Sequence, residues 1–141
     1  MVEKDYLGRI KLWRTLRTKI EDSQTPIKDV LNFWNTVPVS GIAVDPYDIN
    51  RWPNPWELLK ENNYCEFSKM LAIYYTLQLT ARFPHSRFEI HIVLDQKESA
   101  IKYLLFVDNH ALGYYNDRSI TTAELPKMES QMRHVKLPTY Q

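Results

Sequence analysis

The sequence holds one cysteine and three glycines among 141 residues, and both counts exclude classes of protein. A single cysteine cannot form an internal disulfide, so we expect a fold without oxidative cross-links and a reducing compartment such as the cytoplasm. Gly8, Gly41 and Gly113 are isolated from one another, which excludes a Walker loop and a dinucleotide-binding fingerprint. We therefore expect no cofactor.

Net charge and long apolar runs are also scarce. The formal net charge of +1 creates no long-range field that would attract nucleic acid or an anionic membrane. The longest uncharged run, from Val30 to Val44, has 15 residues, whereas a membrane span needs about 20. The N-terminus carries charges in place of the apolar segment of an export signal. The sequence predicts a soluble protein, with neither a membrane nor nucleic acid as partner.

Aromatic and apolar residues are plentiful, at 13% and 44% of the chain. A chain of this length buries roughly 70% of its surface on folding, so we predict one domain over residues 1–141. The pattern divides it into a helical N-terminal portion (1–36), a loop rich in proline and tryptophan with a short helix (37–62), a central helix with a β-meander (63–116) and a C-terminal extension (117–141). The predicted fold class is α+β.

Helix signals dominate the first half of the chain. Apolar residues recur every three or four positions over residues 4–20, which predicts an amphipathic helix with a solvated basic face. Thr25 before Pro26 predicts the start of a second helix. Asn54 with Glu57 three residues later predicts a capping box and a third helix. The intervening loop is expected to hold at most one short strand, over residues 41–44.

The most apolar helix is predicted to follow Asn63, which we take as its cap with Glu66 three residues later. The run from Tyr64 to about Arg82 is apolar nearly all round, so it must be the buried central helix. Cys65 lies in its first turn. There the unpaired backbone N–H groups and the helix dipole favour a thiolate.

Strand signals follow in the second half. Residues 88–95 alternate between apolar and polar, as a half-buried strand does, and residues 101–107 are apolar on both faces. Asp108 and Asn109 tolerate positive φ and predict a tight turn into a third strand. An antiparallel meander is therefore expected. For the C-terminal extension we predict a short helix around residues 123–132.

One set of residues could carry chemistry. If Cys65 is a nucleophile, His91 on the polar face of the first strand is the candidate base, and Asp108 at the end of the second strand could orient the imidazole. Each also has a structural interpretation. Cys65 could be a small buried thiol, Asp108 a turn residue, and Glu89 or Asp95, on the same strand face as His91, its partner instead.

The order of Cys65 on a central helix, His91 on the next strand and Asp108 on the strand after it is similar to that of transglutaminase-like proteins, and more loosely of papain-like proteases. The resemblance covers residues 63–115. It implies a transglutaminase-like core and a cysteine-dependent hydrolase or acyltransferase.

Metal binding is not predicted by the remaining polar residues. His85, His91 and His110 together with Cys65 lack the close ligand spacings of zinc sites. Asp45, Asp48 and Asn50 lack the regular alternate-residue spacing and the glycine of a calcium loop.

The stretch DPYDINRWPNPWEL, residues 45–58, combines Tyr47, Trp52 and Trp56 with prolines, and such stiffened aromatic loops can anchor a protein partner. The rings could equally cover the core. The segments AVDPYDINRWPNPWELLKENNYCEF and YTLQLTARF resemble small uncharacterised proteins of large contractile-tailed bacteriophages. This resemblance implies a virion or assembly role.

The sequence is therefore compatible with two functions. The first is a structural or interaction protein of phage type that binds other proteins through this loop and its termini, and homo-oligomers are compatible with it. The alternative is the cysteine-dependent enzyme that uses Cys65, His91 and Asp108.

Overall fold

The computed structural model describes residues 1, 5–40 and 43–140 and confirms the α+β class. Its described part contains four helices and an antiparallel sheet of five strands. The helices are α1 (Tyr6–Asp22), α2 (Pro26–Asn35), α3 (Pro55–Glu61) and α4 (Glu66–Leu79). The strands are β1 (Phe88–Asp95), β2 (Ala100–Val107), β3 (His110–Leu112), β4 (Ile120–Thr121) and β5 (Glu129–His134). No described helix is long and apolar enough to cross a membrane.

The predicted stripe of α1 is its buried face, with one addition. Trp13, Leu16 and Ile20 are buried, as their spacing predicts. Arg9 was expected on the solvated basic face, but it is buried, and its guanidinium donates to the backbone oxygens of Leu59 and Lys60. The C-terminal carbonyls of α3 need partners once the helix ends. Arg9 satisfies two of them and so joins α1 to α3.

A buried polar centre aligns three helices around Thr76 of α4. Its hydroxyl oxygen accepts the indole N–H of Trp13 at 2.9 Å and that of Trp34 at 3.0 Å. The same hydroxyl donates to the carbonyl of Ala72 at 2.6 Å. Buried indole N–H groups need acceptors. One threonine therefore provides the acceptor for the tryptophans of both α1 and α2.

The capping boxes fix where the later helices begin. The predicted box of Asn54 and Glu57 is formed at α3. At α4, however, the N-cap is Cys65 and its partner is Ser68, so the prediction of Asn63 with Glu66 was wrong by two residues. A side chain that accepts the N–H three residues on defines an N-cap, and the Cys65 sulfur does so here.

The sheet has the strand order β4-β3-β2-β1-β5, and its register decides which side chains can meet α4. Tyr103 of β2 packs on Phe67 of α4 with ring centroids 5.2 Å apart, and Phe88 of β1 packs on Tyr74 at 5.3 Å. Because successive side chains alternate in a strand, even-numbered residues of β1 and odd-numbered residues of β2 face the helices. Their neighbours, including His91, face the opposite side.

The C-terminal extension does not form the helix predicted around residues 123–132. It contains a 3-10 turn at Thr122–Glu124 and then β5, which pairs with β1. Every side chain of β5 except that of His134 is exposed. Such a strand buries little apolar side-chain surface. It forms because the backbone N–H and C=O groups on the edge of β1 are free to pair with it. The strand predicted over residues 41–44 lies partly outside the described residues, and residues 43 and 44 are not in a strand.

Candidate functional site

Cys65 lies at the N-cap of α4, where its sulfur accepts backbone hydrogen bonds from two directions. The N–H of Ser68 and the N–H of Val44 each donate to Sγ at 3.4 Å. The hydrogen bonding is reciprocal, because Oγ of Ser68 accepts the N–H of Cys65 at 2.8 Å. The residue is half-buried. The segment before α3 thus supplies a donor that the helix alone could not.

The electrostatics of this position favour the thiolate. Burial by itself raises the pKa of the Cys65 thiol, but hydrogen bonds from the Ser68 side chain and from the N–H groups of Val44, Ser68 and Phe67 outweigh it. The pKa therefore lies below its ordinary value. Hydrogen bonds to a charged form stabilise that form, which is the physical cause of the shift.

Tyr103 is the aromatic residue of the sheet that faces this helix start. Burial raises the pKa of its hydroxyl, and the negative charges of Cys65, Tyr47 and Glu66 raise it further. The hydroxyl therefore stays protonated at neutral pH and can act as a hydrogen-bond donor.

His91 is not brought to Cys65. It lies on the face of the sheet opposite α4, where its ring packs 4.3 Å from that of Phe106. Its Nε2 lies 3.0 Å from a carboxylate oxygen of Glu89, the carboxylate that the sequence offered as an alternative partner. Glu89 also pairs with Arg87 at 2.7 Å. The hydrogen bond to His91, and after it the guanidinium of Arg87, hold the pKa of Glu89 below its ordinary value against the opposing effect of burial.

Asp108 is a turn residue in the structure. Its φ is 55°, a left-handed conformation that Asp tolerates, and its carboxylate accepts the N–H of Arg87 at 2.9 Å. The turn between β2 and β3 explains both features. No hydrogen bond joins Asp108 to His91 among the described residues.

The aromatic loop divides between core and surface. Trp52 is buried at 7% exposure, packs on Phe67 and on His134, and donates its N–H to the carbonyl of Asp45 at 3.2 Å. It covers the core, which is the alternative that the sequence left open for this ring, and its assignment to partner binding stays a prediction. Tyr47 and Trp56 are exposed at 47% and 37%.

A metal centre is not formed by the described residues. Within 1, 5–40 and 43–140, no three His, Cys, Asp or Glu side chains are close enough to hold an ion. His134, which could in principle serve as a ligand, lies 2.8 Å from the carbonyl oxygen of Pro46.

Known proteins resemble this chain in structure but not detectably in sequence. No family profile and no curated protein matches it. Its fold is similar to that of calcium-bound LapG from Legionella pneumophila, with a TM-score of 0.68 and 12% identity over 91% of this chain and 75% of that chain. This similarity supports a transglutaminase-like core. At such identity it concerns the fold alone.

Sequence reasoning found Cys65 but missed the groups around it. Ser68 could have been found, because Cys-x-x-Ser has the three-residue spacing of a capping box. Val44 lies 21 residues upstream, and Tyr103 lies on the second strand. Their proximity to Cys65 depends on tertiary packing, and no local sequence pattern predicts it.

Proposed function

We propose that this protein is a transglutaminase-like, cysteine-dependent hydrolase or acyltransferase whose nucleophile is Cys65. The observation that carries the proposal is the half-buried sulfur at the N-cap of α4, with N–H groups directed at it and a lowered pKa. Support also comes from the similarity in fold to LapG, a transglutaminase-like cysteine protease.

The proposed chemistry begins with the thiolate. The sulfur attacks an acyl carbon, an S–C bond forms, and the bond from that carbon to the leaving amine breaks. The Tyr103 hydroxyl, which is protonated at neutral pH, supplies the proton that the amine needs and is left as a phenolate. Water or a second amine then attacks the thioester carbon, the C–S bond breaks to release the acyl group and the Cys65 thiolate, and a proton of the attacking molecule returns to Tyr103. The thiol loses its proton to solvent, and the hydrogen bonds that lower its pKa stabilise the resulting thiolate. No imidazole base is needed in this mechanism, so His91 and Asp108 have no role in it.

The test is the pH dependence of Cys65 alkylation by iodoacetamide, read by intact-mass spectrometry. In the folded protein the rate should reach half its maximum at a pH below that of the urea-unfolded chain. Ser68→Ala should move this midpoint upward, because it removes the hydroxyl that stabilises the thiolate. A folded midpoint equal to or above the unfolded one would rule out an activated nucleophile.

A second candidate is favoured by one observation. On the face of the sheet that packs on α4, Tyr103 contacts Phe67 near the helix start, whereas His91 lies on the opposite face against Phe106. This favours a transglutaminase-like domain retained for binding other proteins, with Cys65 as a helix cap. Slow alkylation without a lowered midpoint would support it. The virion or assembly role receives no support from the comparisons and remains a prediction.

A further inference from the structure

A groove of about 540 Å³ includes the first residue of α4 in its lining. Glu66, the residue after Cys65, and Tyr103, whose hydroxyl feels the charge of the thiolate, both line it. Volumes of this size are typical of ligand sites. The groove runs between α4 and β2, and its far wall is the segment 113–116 that follows β3.

The bottom of the groove is apolar and tightly built. Trp34, Met70 and Ile73 are buried there. Gly113 has φ of 107°, and a Cβ at this position would collide with the carbonyl oxygen of Tyr103 and lie 2.6 Å from Cε of Met70. The absence of a side chain lets the far wall approach α4 closely. The groove is therefore a formed feature of the fold.

The two lysines that line the groove differ in their surroundings. The positive charge of Lys102 is balanced by two carboxylates, because its Nζ lies 2.7 Å from Glu98 and 3.9 Å from the buried Asp95. The same Nζ lies over the ring of Tyr114. Lys69 is half-buried and forms no ion pair with a carboxylate among the described residues. A half-buried ammonium without a counter-ion gains most from an incoming carboxylate.

We propose that this groove binds an extended peptide that carries an apolar side chain next to an acidic one, and that Lys69 selects the acidic one. The apolar side chain contacts Trp34 and Met70, and the carboxylate pairs with Lys69. The proposal rests on the proposed function, since it makes this peptide the acyl donor to Cys65. Lys69 is then a specificity-determining residue, one turn of helix beyond the nucleophile.

The experiment uses the full chain with Cys65→Ser, which prevents turnover, and measures fluorescence anisotropy of labelled hexapeptides. Three peptides have a central Leu-Glu, Leu-Lys or Gly-Glu pair and are otherwise identical. We expect Leu-Glu to bind about tenfold more tightly than either of the others. Lys69→Glu should reverse the preference between Leu-Glu and Leu-Lys. Lys11→Glu makes the same charge change on an exposed part of α1 and should leave the preference unchanged.

Circular dichroism of each variant confirms that it is folded. Equal affinity for the three peptides, no binding of any of them, or an unchanged preference in Lys69→Glu would overturn the proposal. Its failure is distinct from failure of the proposed function, because binding is measured without the thiol whereas alkylation is measured without a peptide. A reactive Cys65 with an unselective groove would leave only the proposed function standing.

Discussion

Cys65 and Ser68 cap the central helix reciprocally, each donating its backbone N–H to the side chain of the other. The cap positions the sulfur where the helix begins and gives it the donors that lower its pKa. Cap and proposed nucleophile are therefore one residue. Substitutions at Cys65 must separate these two roles.

Replacing Cys65 tests its role as a cap. We expect Cys65→Ala to lower the free energy of unfolding by about 1 kcal/mol, because the N–H of Ser68 loses its acceptor. Cys65→Ser should preserve stability, since serine is a preferred N-cap residue. Urea unfolding monitored by tryptophan fluorescence measures both. If Cys65→Ala were as stable as the natural chain, the sulfur would contribute nothing as a cap.

The lowered pKa of Cys65 predicts how stability depends on pH. Its ordinary value is about 9.0, and the folded value is lower. The resulting stabilisation is fully present above the ordinary value and is lost as the pH falls through the folded pKa. The stability of the natural chain relative to Cys65→Ser should therefore increase as the pH is raised toward 9.0. Urea unfolding of both proteins at several pH values checks this, and a constant difference would contradict it.

Thr76 provides a sharper test of the core. We expect Thr76→Val to cost about 3 kcal/mol, because the N–H groups of Trp13 and Trp34 both lose their buried acceptor. Thr76→Ser keeps the hydroxyl and removes one methyl group, so it should cost only about 1 kcal/mol. Chemical denaturation compares the pair. If valine cost no more than serine, the two hydrogen bonds would not be what stabilises this position.

Glu89 predicts acid sensitivity on the other face of the sheet. Its pKa is held below the ordinary 4.5, chiefly by the hydrogen bond to His91. Its stabilisation is therefore present above that value and disappears as the pH falls through the lower, folded pKa. Glu89→Gln should be less stable than the natural chain at pH 7, and the gap should close in acid. Glu61→Gln, an exposed control, should show no gap in thermal melts at either pH.

The accuracy of the sequence predictions follows how local each signal was. The starts of α2 and α3 and the span of β1 were predicted, because caps, prolines and alternation act within a few residues. β5 was mistaken for a helix, because its exposed polar residues have no strand period and its backbone partners lie in β1. The burial of Arg9 was missed for the same reason, since its acceptors lie in α3.

The sequence by itself determined the α+β class, a buried central helix and a cysteine at its start, because apolar periodicity and helix-start residues encode these locally. The tertiary structure decided what surrounds that cysteine. The register of β1 turns His91 away from α4, and β2 presents Tyr103 instead, since adjacent side chains of a strand point to opposite faces. Packing also brings the N–H of Val44 to the sulfur. These long-range contacts set the chemistry of Cys65.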